Sequence, residues 1–162
     1  MDTRNPPRGH RALRRGRGSE PGRLYLLTAV TVRRQPLFAD WRCARAACAS
    51  LHASALQQDA EMLCWVLMPD HWHGLVRLGD NIDLPTLMQA LKGASARATN
   101  LARGRGGAVW EPGYWERALR QEADTATAAR YVVHNPVRAG LVRRAAEYPY
   151  WDALWLDCRR AA

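Results

Sequence analysis

Residues 23–32, RLYLLTAVTV, place Leu24, Leu26, Val30 and Val32 at period two, which predicts a strand. QPLFAD follows as a turn, with Asp40 positioned to cap a helix. From Trp41 to about Gln58, Trp41, Ala44, Cys48, Leu51 and Ala55 recur at helical spacing. MLCWVLM, residues 62–68, is apolar throughout and bounded by Pro69-Asp70, the pattern of a buried central strand. HWHGLVRL, residues 71–78, returns through that tight turn as the other arm of a hairpin. A second helix is expected from about Leu84 to Arg103, with Leu84, Leu87, Met88, Leu91 and Leu101 as its apolar stripe. RGRGG (103–107) ends it and opens a loop. VWEPGYWERALR (109–120) carries turn residues and then a short strand ending near Arg120. A third helix starts at Asp124 or Thr125, anchored by Ala128, Val132 and Val133. It must stop at Asn135, because Pro136 lacks an N–H and restricts the residue before it. The tail after Gly140 is mixed, and YPYWDALWL is expected to pack on the core.

The predicted order is β-α-β-β-α-β-α. It fits an α+β chain with a ferredoxin-like split β-α-β antiparallel sheet, two helices on one face and the third on the other. The sheet domain is expected over residues 23–156. Residues 1–22, rich in Arg, Gly and Pro without apolar periodicity, read as a disordered basic arm.

The 162 residues, 48% of them hydrophobic, suit one domain with a packed core. No apolar run approaches the roughly twenty residues that span a bilayer, so no membrane partner is expected. The basic N-terminus lacks the apolar stretch of a secretory signal. Cys43, Cys48, Cys64 and Cys158 show no CxxC spacing and read as reduced thiols of a cytoplasmic protein. The net charge of +9 changes the picture. Lys92 is the only lysine, so the positive charge is nearly all arginine, the side chain that forks onto phosphate and stacks on bases. An excess of this kind points to a polyanionic partner, most simply nucleic acid.

The candidate chemistry lies in two stretches. On the second arm of the hairpin, side chains alternate between faces, so His71, His73, Leu75 and Arg77 share one face and Trp72, Val76 and Leu78 the other. The His/Arg face is expected to be open and polar, the Trp/Val/Leu face to be core. Two imidazoles two residues apart have Cβ atoms about 7 Å apart and can reach one metal ion. The alternative is that each pairs with neighbouring polar groups. In ARYVVHNPVRAGLV (129–142), Tyr131 and Asn135 are one helical turn apart. The phenol offers a nucleophile and the amide a carbonyl oxygen. The alternative is a tyrosine at a core edge with a wet hydroxyl. His134 points away from the pair and reads as surface or structural.

Together these stretches resemble the single-tyrosine HUH transposases, in the branch called REP-associated tyrosine transposases. The resemblance covers roughly residues 23–151. It is carried by YLLTAVTVRRQPLFAD, WVLMPDHWHGLV, LKGASARATN, VWEPGYWERALR and YVVHNPVRAGLV. It implies that His71 and His73 bind a divalent metal, Mg²⁺ or Mn²⁺, that Tyr131 is the nucleophile, and that Asn135 completes the metal site. Related enzymes usually carry Gln at the last position, and Trp115-Glu116 stands where a His-Asp pair is usual.

The implied activity is cleavage and rejoining of single-stranded DNA at hairpins of the repetitive extragenic palindrome kind, through a 5′-phosphotyrosine, in a bacterial cytoplasm at the nucleoid. The resemblance leaves a homodimer open. Arg33, Arg34, Arg97, Arg103, Arg105, Arg120 and Arg138 are candidates to hold the DNA backbone. Trp110, Tyr114 and Trp115 are candidates to stack on unpaired bases. Two other readings of the same residues are a ferredoxin-like module that binds single strands without cutting, and a structural zinc protein. The zinc site would draw on Cys43, Cys48, His52 or Cys64 with His71 and His73.

Overall fold

The computed structural model describes residues 18–121 and 123–154. Most of the expected basic arm, residues 1–17, and Cys158 lie outside the described residues. Residues just before the domain are tied to it: Leu84 N–H donates to Ser19 Oγ (2.9 Å), Glu20 N–H to Tyr25 Oη (2.8 Å) and Gly22 N–H to the Leu78 carbonyl (2.7 Å).

Five antiparallel strands form one sheet in the order β4-β1-β3-β2-β5. They are β1 (Leu24–Val30), β2 (Ala60–Met68), β3 (His71–Leu78), β4 (Trp115–Ala118) and β5 (Trp151–Ala153). The first four have the expected split β-α-β arrangement. The fifth was not expected as a strand: the tail packs on the core by adding β5 to the free edge of β2. The hairpin turn is Pro69-Asp70, with Met68 paired to His71.

Helices α1 (Trp41–Leu56) and α2 (Leu84–Ala102) cover one face. Asp40 caps α1 by accepting from Arg42 N–H at 2.9 Å, as its position predicted, and Asp83 caps α2 by accepting from Thr86 N–H at 2.8 Å. Under these helices lies the larger core, with Tyr25, Leu27, Leu67, Trp72 and Val76 from the sheet and Ala44, Leu51, Leu87 and Leu91 from the helices. Each large apolar side chain buried here contributes roughly 1.5–3 kcal/mol. The Trp72 ring lies over Gly74, where an added Cβ would collide with it. Two residues of the expected apolar stripes fall outside this core. Trp41 and Leu101 are 57% and 85% exposed, because they sit in the end turns of their helices, beyond the buried stripe.

Helix α3 (Asp124–Val133) packs on β2 and β3 from the other side, over a second core of Cys64, Val66, Leu75, Ala128, Ala129 and Val132. The expectation of an open polar face beside the histidines is therefore corrected. Leu75 is fully buried there and His73 is only 8% exposed, because α3 covers that half of the sheet. An irregularity between Met62 and Cys64 makes this possible. With one extra residue in β2, Leu63 and Cys64 both join the second core, while Met62 and Trp65 pack on the first.

The third helix also ends differently from its prediction. It stops at Val133, turns through His134 (φ −86°, ψ 1°), and resumes as the single turn α4 (Asn135–Arg138). Pro136 does not simply terminate the chain's helical path. Its missing N–H is harmless in the first turn of the new helix, where it is buried. Among the described residues no helix is long and apolar enough to cross a membrane.

Candidate active site

The sheet and α3 bring the two predicted stretches together. His71 and His73 project from one face of β3, with ring centroids 4.8 Å apart in an edge arrangement. Val132 is fully buried and fixes the rotation of α3, so that its neighbour Tyr131 comes to the edge of the second core. There the Tyr131 ring meets His73 with centroids 5.6 Å apart and planes at 67°. Tyr131 stays 38% exposed, so an incoming group can reach it. The Arg138 guanidinium, one turn beyond the break at His134, lies over the same ring at 4.7 Å from its centroid.

Both histidines are held through Nδ1. His71 Nδ1 donates to Asp70 Oδ1 at 2.6 Å, since a carboxylate only accepts. His73 Nδ1 shares a 2.7 Å hydrogen bond with the Thr28 hydroxyl, its register partner on β1. With Nδ1–H donated to Asp70, His71 keeps its lone pair on Nε2, the form in which imidazole binds metal, and the Thr28 hydroxyl, which can accept as well as donate, is compatible with the same form of His73. The residues present thus fit a metal held by two imidazoles. Among the described residues no group of three His, Cys, Asp or Glu side chains could hold a metal ion. Amide, phosphate or water oxygens suit the remaining positions of such an ion. Asn135 lies at the start of α4, half-buried, and none of its side-chain atoms hydrogen-bonds among the described residues.

The charges are asymmetric. Burial, then the charges of His71, Arg34 and Arg138, push the His73 imidazole down to about 3, so it is neutral at physiological pH. Partial burial pulls the Asp70 carboxyl up, but the hydrogen bond and charge of His71, and then Arg34, outweigh it and hold it below its ordinary value. Arg34 approaches Asp70 at 3.4 Å from the outside. Arg33 and Arg34 both take left-handed backbone (φ 54° and 55°), held by Glu111, whose carboxylate accepts from Arg33 N–H at 2.7 Å.

The remaining predicted contacts divide by face. Trp115 is 45% exposed on the histidine face, opposite Thr28 in register. Trp110 and Tyr114 are corrected: they are 7% and 8% exposed members of the larger core and offer no ring face to a base. Trp110 packs 5.3 Å from Phe38 and donates to Ser95 Oγ at 3.0 Å. Arg97, Arg103 and Arg105 belong to α2 and the loop after it, on the side of the sheet away from Tyr131. Arg103 holds that loop, through Asn100 Oδ1 at 2.9 Å and the Gly106 carbonyl at 3.3 Å. Arg120 lines a cavity of about 600 Å³ beside β4. His134 is exposed, as expected.

Cys43 is buried in the larger core and Cys48 packs against it, whereas Cys64 is in the second. The sheet therefore separates Cys43 and Cys48 from the histidines; Cys64 is on their side, but among the described residues it joins them in no group that could hold a metal ion. Sequence reasoning missed Thr28 and Asp70 as partners of the histidines. The available signals were a threonine on the outer face of an otherwise apolar strand and a carboxylate directly before HxH.

Comparison with known proteins gives the family and the fold. The sequence model of the IS200-like transposases matches residues 23–135. An Escherichia coli K12 REP-associated tyrosine transposase is 29% identical over 92 residues, covering 56% of this chain and 52% of that protein. The chain spans about half the length of the curated relatives it matches. A solved structure of the REP-associated tyrosine transposase bound to a REP hairpin superposes with TM-score 0.65 at 25% identity. It covers 83% of this chain and 79% of the other. A crystallised Deinococcus radiodurans protein assigned as a transposase gives TM-score 0.54 at 29% identity, over 72% of this chain and 93% of that one. These relatives bear out the resemblance read from HxH and Tyr-x-x-x-Asn-Pro, and with the family match spanning most of its length, the chain belongs to the IS200-like transposases.

Proposed function

We propose that the protein cleaves and rejoins single-stranded DNA next to a hairpin of the REP kind, through a covalent bond between Tyr131 and a 5′ phosphate. The observation that carries this reading is the meeting of Tyr131 with His73 at 5.6 Å between centroids. A protein that only binds DNA has no need to bring a half-exposed phenol against a pair of oriented imidazoles.

Tyr131 Oη attacks phosphorus, an O–P bond forms, and the bond from phosphorus to the 3′ oxygen breaks. The phenol proton passes through solvent to the departing 3′ oxygen. Arg138, over the ring, stands beside the attacked phosphate and offsets the negative charge that gathers on its oxygens. Arg34 lies at the hairpin turn, where it can take a neighbouring phosphate in place of part of its contact with Asp70. The phosphodiester energy is kept in the tyrosyl ester, so attack by a 3′ hydroxyl reseals DNA without ATP. His71 and His73, with Asn135 as a third donor, would hold Mg²⁺ or Mn²⁺, which supplies Lewis-acid neutralisation of charge on the phosphate oxygens. Asp70 fixes the orientation and tautomer of His71, and Thr28 the orientation of His73.

The test is incubation with labelled single-stranded hairpin DNA and Mn²⁺, followed by a denaturing gel. The wild-type protein should form a covalent adduct that chelation suppresses and metal readdition restores. Tyr131→Phe should bind the hairpin yet form none. An adduct with the Phe variant, or none with the wild type under any divalent metal, overturns the reading.

A further inference from the structure

We infer that the β1–β4 half of the histidine face is a shelf for one unpaired nucleotide, with Trp115 as the ring on which its base stacks. This deepens the proposed function and rests on it.

The two faces of β1 differ sharply. Tyr25, Leu27 and Ala29 point into the larger core and are buried. Leu26, Thr28 and Val30 point the other way and are only half-buried, although they belong to the same strand. The cause is the position of α3, which packs on β2 and β3. Next to β1, β4 adds Trp115 and Arg117, exposed on the same face as Thr28 and Leu26. The register aligns Trp115 with Thr28, and Thr28 with His73, in a single row across three strands. Neighbouring strands are about 4.8 Å apart, so the Trp115 backbone lies roughly 10 Å from that of His73.

A surface of this composition suits a nucleotide more than another protein. It is narrow, its centre is a hydroxyl already bonded to His73, and its outer edge carries one exposed indole and one exposed guanidinium two residues apart. An indole face takes any base by stacking, and a guanidinium takes the adjoining phosphate. The shelf is continuous with the Tyr131 and His73 pair, so its occupant is the nucleotide flanking the phosphate that Tyr131 attacks. Trp115 would then hold the base at the cleavage position in place whatever its identity, since stacking is tolerant of sequence.

The experiment uses the full chain carrying Tyr131→Phe, so that binding is read without chemistry. Hairpin oligonucleotides are compared with and without an unpaired flank carrying 2-aminopurine, by anisotropy and by fluorescence quenching. Trp115→Ala should weaken binding of the flanked hairpin about tenfold, abolish the quenching and leave the flank-free hairpin unchanged. Trp115→Phe should retain the quenching and most of the affinity. Equal losses on both hairpins, or none on either, overturn the inference. Adduct formation by the protein with Tyr131 intact is scored separately, so a wild type that stacks the flank but never forms the adduct sinks the proposed activity and not the shelf.

Discussion

Thr28 and His73 face each other across β1 and β3 and share a 2.7 Å hydrogen bond at the imidazole Nδ1. Removing the hydroxyl while keeping the branched shape isolates that bond. Thr28→Val is expected to fold normally, at a stability cost of about 1 kcal/mol. Its affinity for Mn²⁺ should fall by about 10- to 100-fold, because the orientation of the His73 ring is no longer fixed. Titration calorimetry with Mn²⁺ reads this directly; unchanged affinity would remove Thr28 from the site.

Asp70 accepts from His71 Nδ1–H at 2.6 Å on one side and meets the Arg34 guanidinium at 3.4 Å on the other. Asp70→Asn should move two affinities in opposite directions. Binding of Mn²⁺ weakens, since the carboxamide polarises His71 less than a carboxylate. Hairpin binding at constant salt holds or tightens, since Arg34 loses its acidic competitor. A parallel fall of both, seen by electron paramagnetic resonance and anisotropy, would mean that Asp70 serves only the fold.

The guanidinium of Arg138 is the one charged group placed over the Tyr131 ring among the described cation–ring contacts. Arg138→Ala should slow single-turnover adduct formation by about 3- to 30-fold, the range of a partly desolvated cation–π contact. Arg138→Lys should recover part of the rate, because the charge returns without the flat face. Equal rates for the wild type and the Ala variant would assign Arg138 to the fold alone.

Acid should destabilise the metal-free protein through His73. Its imidazole is depressed from 6.5 to about 3 in the fold, so between those values the unfolded chain binds a proton that the native one refuses. Stability attributable to this group is complete above pH 6.5 and declines as pH falls towards 3. From pH 7 to 5.5 the loss is about 1 kcal/mol. Urea unfolding at several pH values should show this slope in the wild type and a shallower one in His73→Gln. Identical slopes would mean that His73 is protonated in the native state.

Local pattern located the strands and helices of residues 23–133: apolar periodicity for β1, α1 and α2, an unbroken apolar run for β2, and turn or breaker residues for the rest, all properties of neighbouring residues. The same logic put His71 and His73 on one face and read Pro69-Asp70 as a hairpin turn. It failed where burial depends on what lies opposite. Trp110 and Tyr114 look like loop aromatics but fill the core under α2, while Trp41 and Leu101 look like stripe residues but lie outside it. Strand β5 is three residues long, too short to show a period, and exists because the edge of β2 was available for pairing. The site itself was half legible. Sequence alone determined which residues have the chemistry: two imidazoles at strand spacing, a phenol and an amide one turn apart. Only tertiary structure decided that α3 lies over β3 and brings Tyr131 to His73, that Thr28 and Asp70 orient the rings, and that Arg138 covers the phenol. Tyr131 and Thr28 each reach His73 from tens of positions away, and the geometry of that meeting is set by the packing of Val132 and Leu75 in the second core, which no local pattern encodes.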